Sequence, residues 1–280
     1  MRKILSLIIM ALFVVSMASA KDKDILKHEI SFIGAAGQSA LKYNNSKNGF
    51  GGALGLGYSY PLTNKWSIGT GLEFSFYNAK TTNNSFSEAY DSNDGQYNFE
   101  FRTTVSNYQE TQKATYLNIP VMAQFQMPIA KDNQFYAAAG LKFGIPLASN
   151  YKMENASIKN SGYYPIWSNE QDLILETQEF MGFGTFNRKN IEGDLGLKLA
   201  YMLSIETGLK WKLSKILSFY TGAYLDYGLN DVKEGNSKHL IQYNVEDPSN
   251  FISNSLLQTN VMDKVAPMAI GVKFRLGLRI

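Results

Sequence analysis

Apolar and polar residues alternate one by one along most of this chain, and helical periodicity is scarce. The clearest run is Asp194 to Leu213. Leu195, Leu197, Leu199, Tyr201, Leu203, Ile205, Thr207, Leu209, Trp211 and Leu213 fall on one face, and Asp194, Gly196, Lys198, Ala200, Met202, Ser204, Glu206, Gly208, Lys210 and Lys212 on the other. Successive side chains of a strand point to opposite faces, so the run predicts one long strand. The same two-sided pattern recurs near 28–40, 49–61, 65–80, 113–127, 134–148 and 216–230. In the last stretch, Val272, Phe274, Leu276, Leu278 and Ile280 alternate with Lys273, Arg275, Gly277 and Arg279. Eight strands are predicted.

The connections alternate in length. "PLTNK" (61–65), "PIAKDN" (128–133) and "SK" (214–215) read as short turns, and the stretches near 41–48, 81–112, 149–193 and 231–263 as longer polar loops. Structureless loops of the larger size are unusual in a soluble domain. Outer-membrane barrels have them, with short periplasmic turns, long extracellular loops and an even strand number. The pattern therefore predicts an all-β fold, an eight-stranded antiparallel transmembrane β-barrel. Its closing strand is the C-terminal one, paired with the strand from Ile30. Tyr60, Trp66, Phe125, Phe135, Trp211 and Phe219 cluster beside the short turns on the apolar face, as a periplasmic-side aromatic girdle would. A soluble ligand barrel would turn its bulky face inward and its polar face to water. Here the second face is largely Gly, Ala and Ser, which suits the narrow interior of a small barrel.

The N-terminus agrees. Arg2 and Lys3 precede a 14-residue apolar run, Ile4 to Met17, and then Ala18-Ser19-Ala20. This reads as a secretory signal peptide over residues 1–20, leaving 21–280 as the barrel domain. The run is short of the roughly 20 residues of a spanning helix. The 27 basic residues less Arg2 and Lys3 leave 25, against 24 acidic ones. Near-neutrality argues against a nucleic-acid partner. The chain has no cysteine, which excludes disulfide stapling, thiolate metal sites and thiol catalysis.

The stretch "YLNIPVMAQFQMP", Tyr116 to Pro128, followed by a short turn and "QFYAAAGLKFGIPL", resembles the PorT-like outer-membrane β-barrel family of Bacteroidota. The resemblance implies an eight-stranded outer-membrane barrel over His28 to Ile280 and no single function, although some relatives are linked to protein secretion. It also implies handling by the barrel assembly machinery. Such barrels often end in an aromatic residue, and this chain ends in Ile280. Pro120 lacks an amide donor and predicts a bulge or local break in its ladder.

The inward face carries both signs: Glu29, Glu73, Glu206 and Asp226 against Lys142, Lys198, Lys210, Lys212, Lys273, Arg275 and Arg279. These charges line an ion-selective pore or pair into a network that fills the lumen. The small interior favours a network of Glu73, Lys142, Lys198, Glu206, Asp226, Lys273 and Arg275. Lys210, Lys212 and Arg279 are expected near the periplasmic mouth.

Catalysis finds little support. His28 is expected at the periplasmic start of the first strand, and His239 in the last loop near Glu234 and Asp247. A base there is conceivable, but no catalytic residue, metal or cofactor is assigned. "DSNDGQ" (Asp91 to Gln96) departs from the calcium-loop pattern, with Gly95 fifth and Arg102 twelfth, and reads as a turn. "GFGGALGLG" (Gly49 to Gly57) matches neither glycine-rich nucleotide motif and reads as small inward residues on a strand. The aromatics of "SGYYPIWSN" (161–169) and "MGFGTF" (181–186) either form a recognition surface or pack over the barrel mouth.

The expectation is a non-enzymatic integral outer-membrane protein. It meets outer-membrane lipid and the assembly machinery, and through its long loops an envelope or surface protein. A small-solute or ion channel is the alternative, and an enzyme using a loop histidine a more distant one.

Overall fold

Alternation becomes strands throughout the computed structural model. It describes residues 28–280 apart from 44–45, 131, 166–172, 236–237, 261 and 263. The signal-peptide reading of 1–20 and Trp167 of the aromatic loop lie outside the described residues. The strands are β1 (Glu29–Lys42), β2 (Ser46–Pro61), β3 (Trp66–Asn93), β4 (Asn98–Ala130), β5 (Asn133–Tyr164), β6 (Leu173–Leu175), β7 (Gly184–Arg188), β8 (Ile191–Asp194), β9 (Ala200–Lys212), β10 (Leu217–Gly228), β11 (Ile241–Gln242), β12 (Ile252–Ser253) and β13 (Ala266–Arg279).

Eight of them close on themselves in the order β4-β3-β2-β1-β13-β10-β9-β5, with β5 returning to β4. The C-terminal strand is the closing one: Ile30 pairs with Leu278 and Phe32 with Leu276. Paired residues trace a path round the ring from Ala40 through Met268, Tyr227, Leu203, Leu141, Val121, Thr70 and Tyr58 to Ile30. It returns to β1 ten residues lower, at Ile30 rather than Ala40. A stagger of ten residues at ~3.3 Å, spread over eight steps of ~4.8 Å, tilts the strands by about 40°. Such a barrel has room inside for side chains only.

The two faces separate as the alternation requires. Leu54, Leu72, Phe74, Val121, Leu141, Ile205, Val272 and Phe274 are exposed on the outside, while Glu73, Asn118, Lys142, Glu206, Asp226 and Lys273 are buried inside. Inward glycines make that interior fit. A Cβ at Gly55 would lie 3.0 Å from Glu73 Cγ.

The long connections differ from expectation. Only residues 43–45 separate β1 from β2. The stretch 81–112 is an extension of β3 and β4, which reach 28 and 33 residues, and β5 reaches 32. Those strands run past the barrel and, with β6, β7, β8, β11 and β12, form a lobe whose aromatic core continues into the buried residues at the near end of the barrel, Tyr77, Tyr116, Met202 and Tyr224. That core includes Phe99, Phe101, Tyr164, Phe183, Tyr243 and Leu256, all buried. Phe99 stacks on Tyr164 at 4.9 Å and meets Tyr243 edge-on at 5.0 Å. The bulky face of the lobe strands turns inward and the polar face outward, the reverse of the barrel.

A bulge lies within the lobe part of β4. In β4 the buried set is Phe99, Phe101, Thr103 and Val105, then Tyr108, Glu110 and Gln112. The phase shifts by one residue where the register to β5 is irregular, between Ser106 and Gln109. Asn107 absorbs the extra residue at φ 54°, a left-handed conformation that asparagine tolerates better than most side chains.

The run from Asp194 to Leu213 is two strands rather than one. Gly196 turns left-handed at φ 60°, and a Cβ there would lie 2.3 Å from Glu234 Oε2. The chain leaves the ladder between β8 and β9, and Leu195 is buried in the lobe rather than facing outward. At Pro120 the ladder to β3 is interrupted between Thr70↔Val121 and Glu73↔Asn118 with its register unchanged. No bulge forms at Pro120; the nearest irregularity of β4 falls at Thr115/Tyr116, on the β5 side.

Candidate functional site

Two places collect chemistry: the barrel lumen and the lobe. In the lumen, β3, β5, β9, β10 and β13 each aim a charged residue inward. Lys142 Nζ donates to Glu73 Oε2 at 2.8 Å and to Asp226 Oδ2 at 2.9 Å. Lys273 Nζ donates to Glu73 Oε1 at 2.8 Å and also to Glu206. Ser204 donates to Asp226 Oδ1 at 2.6 Å. One inward step toward the turn end, Arg275 lies between the faces of Tyr220 (4.2 Å) and Tyr136 (5.2 Å) and donates to Gln124. Glu73, Glu206 and Asp226 thus sit with Lys142, Lys273 and Arg275, and the signs cancel. Lys142 and Lys273 are ion-paired, as buried charges require, whereas Arg275 is held by Gln124 and the two tyrosine rings and has no carboxylate within salt-bridge distance among the described residues.

The structure thus brings together six of the seven residues expected there. Lys198 is elsewhere. It is exposed, in the break that follows Gly196. Its N–H donates to Val232 O at 2.7 Å, and its carbonyl accepts from Tyr116 at 3.3 Å. Unbroken alternation across 194–213 was the premise that placed it inside, and Gly196 removes that premise.

A second layer lies nearer the turns. Glu29 accepts from Lys210 Nζ at 3.0 Å and from Tyr220 at 2.5 Å. Below it a vestibule of about 400 Å³ opens, lined in part by Glu29, Gln124, Lys210, Tyr220 and Arg279. Lys212 is exposed. Above Arg275 the free space falls to about 10 Å³ among Glu73, Lys142, Asp226, Lys273, Tyr77 and Ala53. That is roughly one water. Toward the lobe the lumen is filled again by Tyr77 and Tyr116, edge to face at 5.8 Å, with Met202 against Tyr77.

The six aromatics of the turn end share a level. With the tilt and register above, Tyr60, Trp66, Phe125, Phe135, Trp211 and Phe219 lie within about 4 Å of one another along the axis. Trp66 packs on Phe125 at 5.1 Å, and Phe219 stacks on Phe274 at 6.2 Å.

Among the described residues of the lobe one carboxylate, Glu110, is buried, and it joins β4 to the last connection. It accepts from Tyr108, from Gln112 Nε2 at 2.6 Å, from Ser255 at 2.6 Å and from the Leu256 N–H at 3.2 Å. Burial raises its pKa, and the hydrogen bonds from Ser255, Tyr108, Gln112 and Leu256 only partly offset this. Sequence reading missed this residue. Its signal was "NFEFRTTV", Asn98 to Val105, an alternating run inside a stretch read as loop.

His239 is beside Glu88 at 3.4 Å and stacked on Tyr90 at 3.6 Å, rather than beside Glu234 or Asp247. His28 bonds Tyr58 at the barrel's turn end. Asp94 accepts from the N–H groups of Gln96 (2.9 Å) and Tyr97 (2.7 Å) and from Tyr164 (3.0 Å), which makes "DSNDGQ" a turn docked on the lobe core. Tyr164 and Phe183 are core residues, Phe186 packs on Phe251 at 5.1 Å, and Phe180 is exposed.

The sequence profile of the outer membrane protein beta-barrel domain family matches residues 22–234. The chain belongs to that family; residues 235–280, with β13, lie beyond the matched span. A search of curated proteins found no match. Among solved structures it is similar to Neisserial surface protein A, at 9% identity and TM-score 0.37, over 89% of this chain and 96% of that one. It is similar also to Ail of Yersinia pestis, crystallised with the heparin analogue sucrose octasulfate, at 12% identity and TM-score 0.31, over 90% and 100%. A third is the N-terminal barrel of Pseudomonas aeruginosa OprF, at 11% and 0.28, over 90% and 97%.

Proposed function

We propose that this outer-membrane β-barrel protein is a sealed, non-enzymatic anchor that holds a folded recognition lobe at the cell surface. The observation that carries the reading is the contrast between the two interiors. The cavity inside the charge-balanced network holds only about 10 Å³, and Tyr77 and Tyr116 fill the lumen on its lobe side, which supports a plugged barrel over a channel. The lobe is packed on an aromatic core that includes Phe99, Phe101, Tyr164, Phe183 and Tyr243. Exposed apolar residues remain on it, among them Phe180, Ile174, Val245 and Ile252. These are the contact points we assign to a protein partner of the envelope or of another surface. The level of Tyr60, Trp66, Phe125, Phe135, Trp211 and Phe219 fits the periplasmic interface. The narrower PorT-like kinship rests on Tyr116 to Pro128 and favours an envelope partner.

Site-specific photo-crosslinking in intact cells tests the reading. A crosslinker at 180 or 245 is expected to give discrete protein adducts, and one at lipid-facing 205 none. Protein adducts absent from both lobe positions would contradict it.

A further inference from the structure

The outer wall carries a cationic arc on four neighbouring strands. Lys42, Lys47, Lys80 and Lys113 are exposed at the lobe end of β1, β2, β3 and β4. Lys47 pairs directly with Lys80, and Lys113 with Asn78. With the ring's register and tilt, the four lie within about 3 Å of one another along the axis, roughly 30 Å above the aromatic girdle. The apolar band of an outer-membrane barrel is about 25 Å tall, so the lysines fall at the outer headgroups. Among the described residues none of the four has a carboxylate within salt-bridge distance. The outward Glu154 bonds Thr111, toward the lobe, at 2.7 Å.

Two grooves on the wall use these lysines. One, of about 390 Å³, is lined by Lys80 and Lys113 together with Phe50, Phe76 and Asn78. The other, of about 300 Å³, has Lys42 and Lys264 with Tyr227, Pro267 and Met268. Lys264 Nζ donates to Leu229 O at 2.9 Å and keeps further donors free. Each groove pairs two ammonium groups with aromatic or aliphatic surface.

We infer that this arc binds phosphate-bearing lipid headgroups of the outer leaflet, with two lysines on the phosphates of each lipid and the groove's apolar residues against the upper acyl chains. Charge complementarity and height both point there: phosphates are the anions that a membrane holds at this level, and long lysine stems reach them while their methylenes stay on apolar wall. The site is independent of what the lobe recognises.

The test uses the full-length protein in nanodiscs doped with a bis-phosphorylated glucosamine lipid or its dephosphorylated form, with co-purified lipid measured by mass spectrometry. The wild type is expected to retain the phosphorylated lipid selectively. Lys80→Gln with Lys113→Gln should lower that retention about five-fold per lysine, whereas Lys152→Gln, higher on the lobe, should leave it unchanged. Heat-modifiable gel mobility confirms that each variant is folded. Equal retention of both lipids, or unchanged retention in Lys42→Gln/Lys80→Gln/Lys113→Gln/Lys264→Gln, would overturn the site. Displacement by millimolar inorganic phosphate as efficient as by the lipid would overturn the lipid assignment.

Discussion

The barrel and the lobe share three strands, β3, β4 and β5, and have opposite interiors. Along β4, Asn118 and Gln124 point into the barrel and Val121 outward, whereas Phe99, Phe101 and Val105 point into the lobe and Glu100 and Arg102 outward. What changes between them is the solvent. Where lipid is outside, apolar residues lie outside and polar groups must find partners within. Where water is outside, burial of apolar surface drives the ordinary arrangement. One alternating strand serves both: the inward phase of the barrel continues into the lobe through Gln112, Glu110 and Tyr108, and the bulge at Asn107, inside the lobe, shifts it by one residue to Val105, Phe101 and Phe99.

Substitutions that strike one interior only are the sharpest way to separate the two. Glu73 holds both Lys142 and Lys273. Glu73→Ala leaves two buried ammonium groups short of a partner and should cost the barrel about 3–5 kcal/mol, read from urea unfolding in detergent by heat-modifiable mobility. Proteolytic cleavage of the lobe should not change in the fraction that remains folded. Phe101→Ala should cost about 3–5 kcal/mol, but in the lobe. Hydrogen exchange is expected to quicken across 98–110 and 150–164 while the barrel midpoint holds. If both variants lower both readouts together, the two interiors form one cooperative unit and the contrast fails.

The outer face gives the next effect. Val272→Arg places a charge on the lipid face near mid-belt and should cost about 2–4 kcal/mol, measured by folding into thin-bilayer vesicles. Lys273→Met, on the adjacent inward residue, removes a charge from the network and should instead uncover Glu73 and Glu206. The bulge is more tolerant. Asn107→Val forces a β-branched side chain into the left-handed region at about 1–3 kcal/mol, whereas Asn107→Gly should be close to neutral. Equal effects would show that the bulge does not set the phase.

The smallest effect is a pH dependence confined to the lobe. The raised pKa of Glu110 means that the folded lobe holds its proton more tightly than the unfolded chain. Its contribution is fully present below the ordinary glutamate value and is lost as pH rises through the folded one. Protection of lobe amides, corrected for intrinsic exchange, should therefore rise on going from neutral to mildly acidic pH. Glu110→Gln should flatten that rise.

The barrel was legible because lipid imposes its pattern on every strand. Leu54, Phe74, Ile205 and Phe274 had to alternate with small or charged partners, and the short turns fixed the topology. The lobe was not, for two physical reasons. Its strands have an ordinary polar exterior, so Glu100, Arg102 and Thr104 made a strand look like a loop. The phase shift at Asn107 also divides β4 into runs that do not align. Lys198 was misplaced for a related reason: a left-handed Gly196 ends one ladder inside an apparently continuous alternation. Charge balance among Glu73, Glu206, Asp226, Lys142, Lys273 and Arg275 was readable as a set, but which lysine meets which carboxylate depends on the stagger of the ring.

Single-channel recording across a planar bilayer tests the sealed lumen most directly. The purified wild-type protein, shown to be inserted by its heat-modifiable mobility, is expected to give no stable conductance steps. Reproducible open steps from the wild type would contradict the claim that Glu73, Lys142, Glu206, Asp226, Lys273 and Arg275 close the barrel.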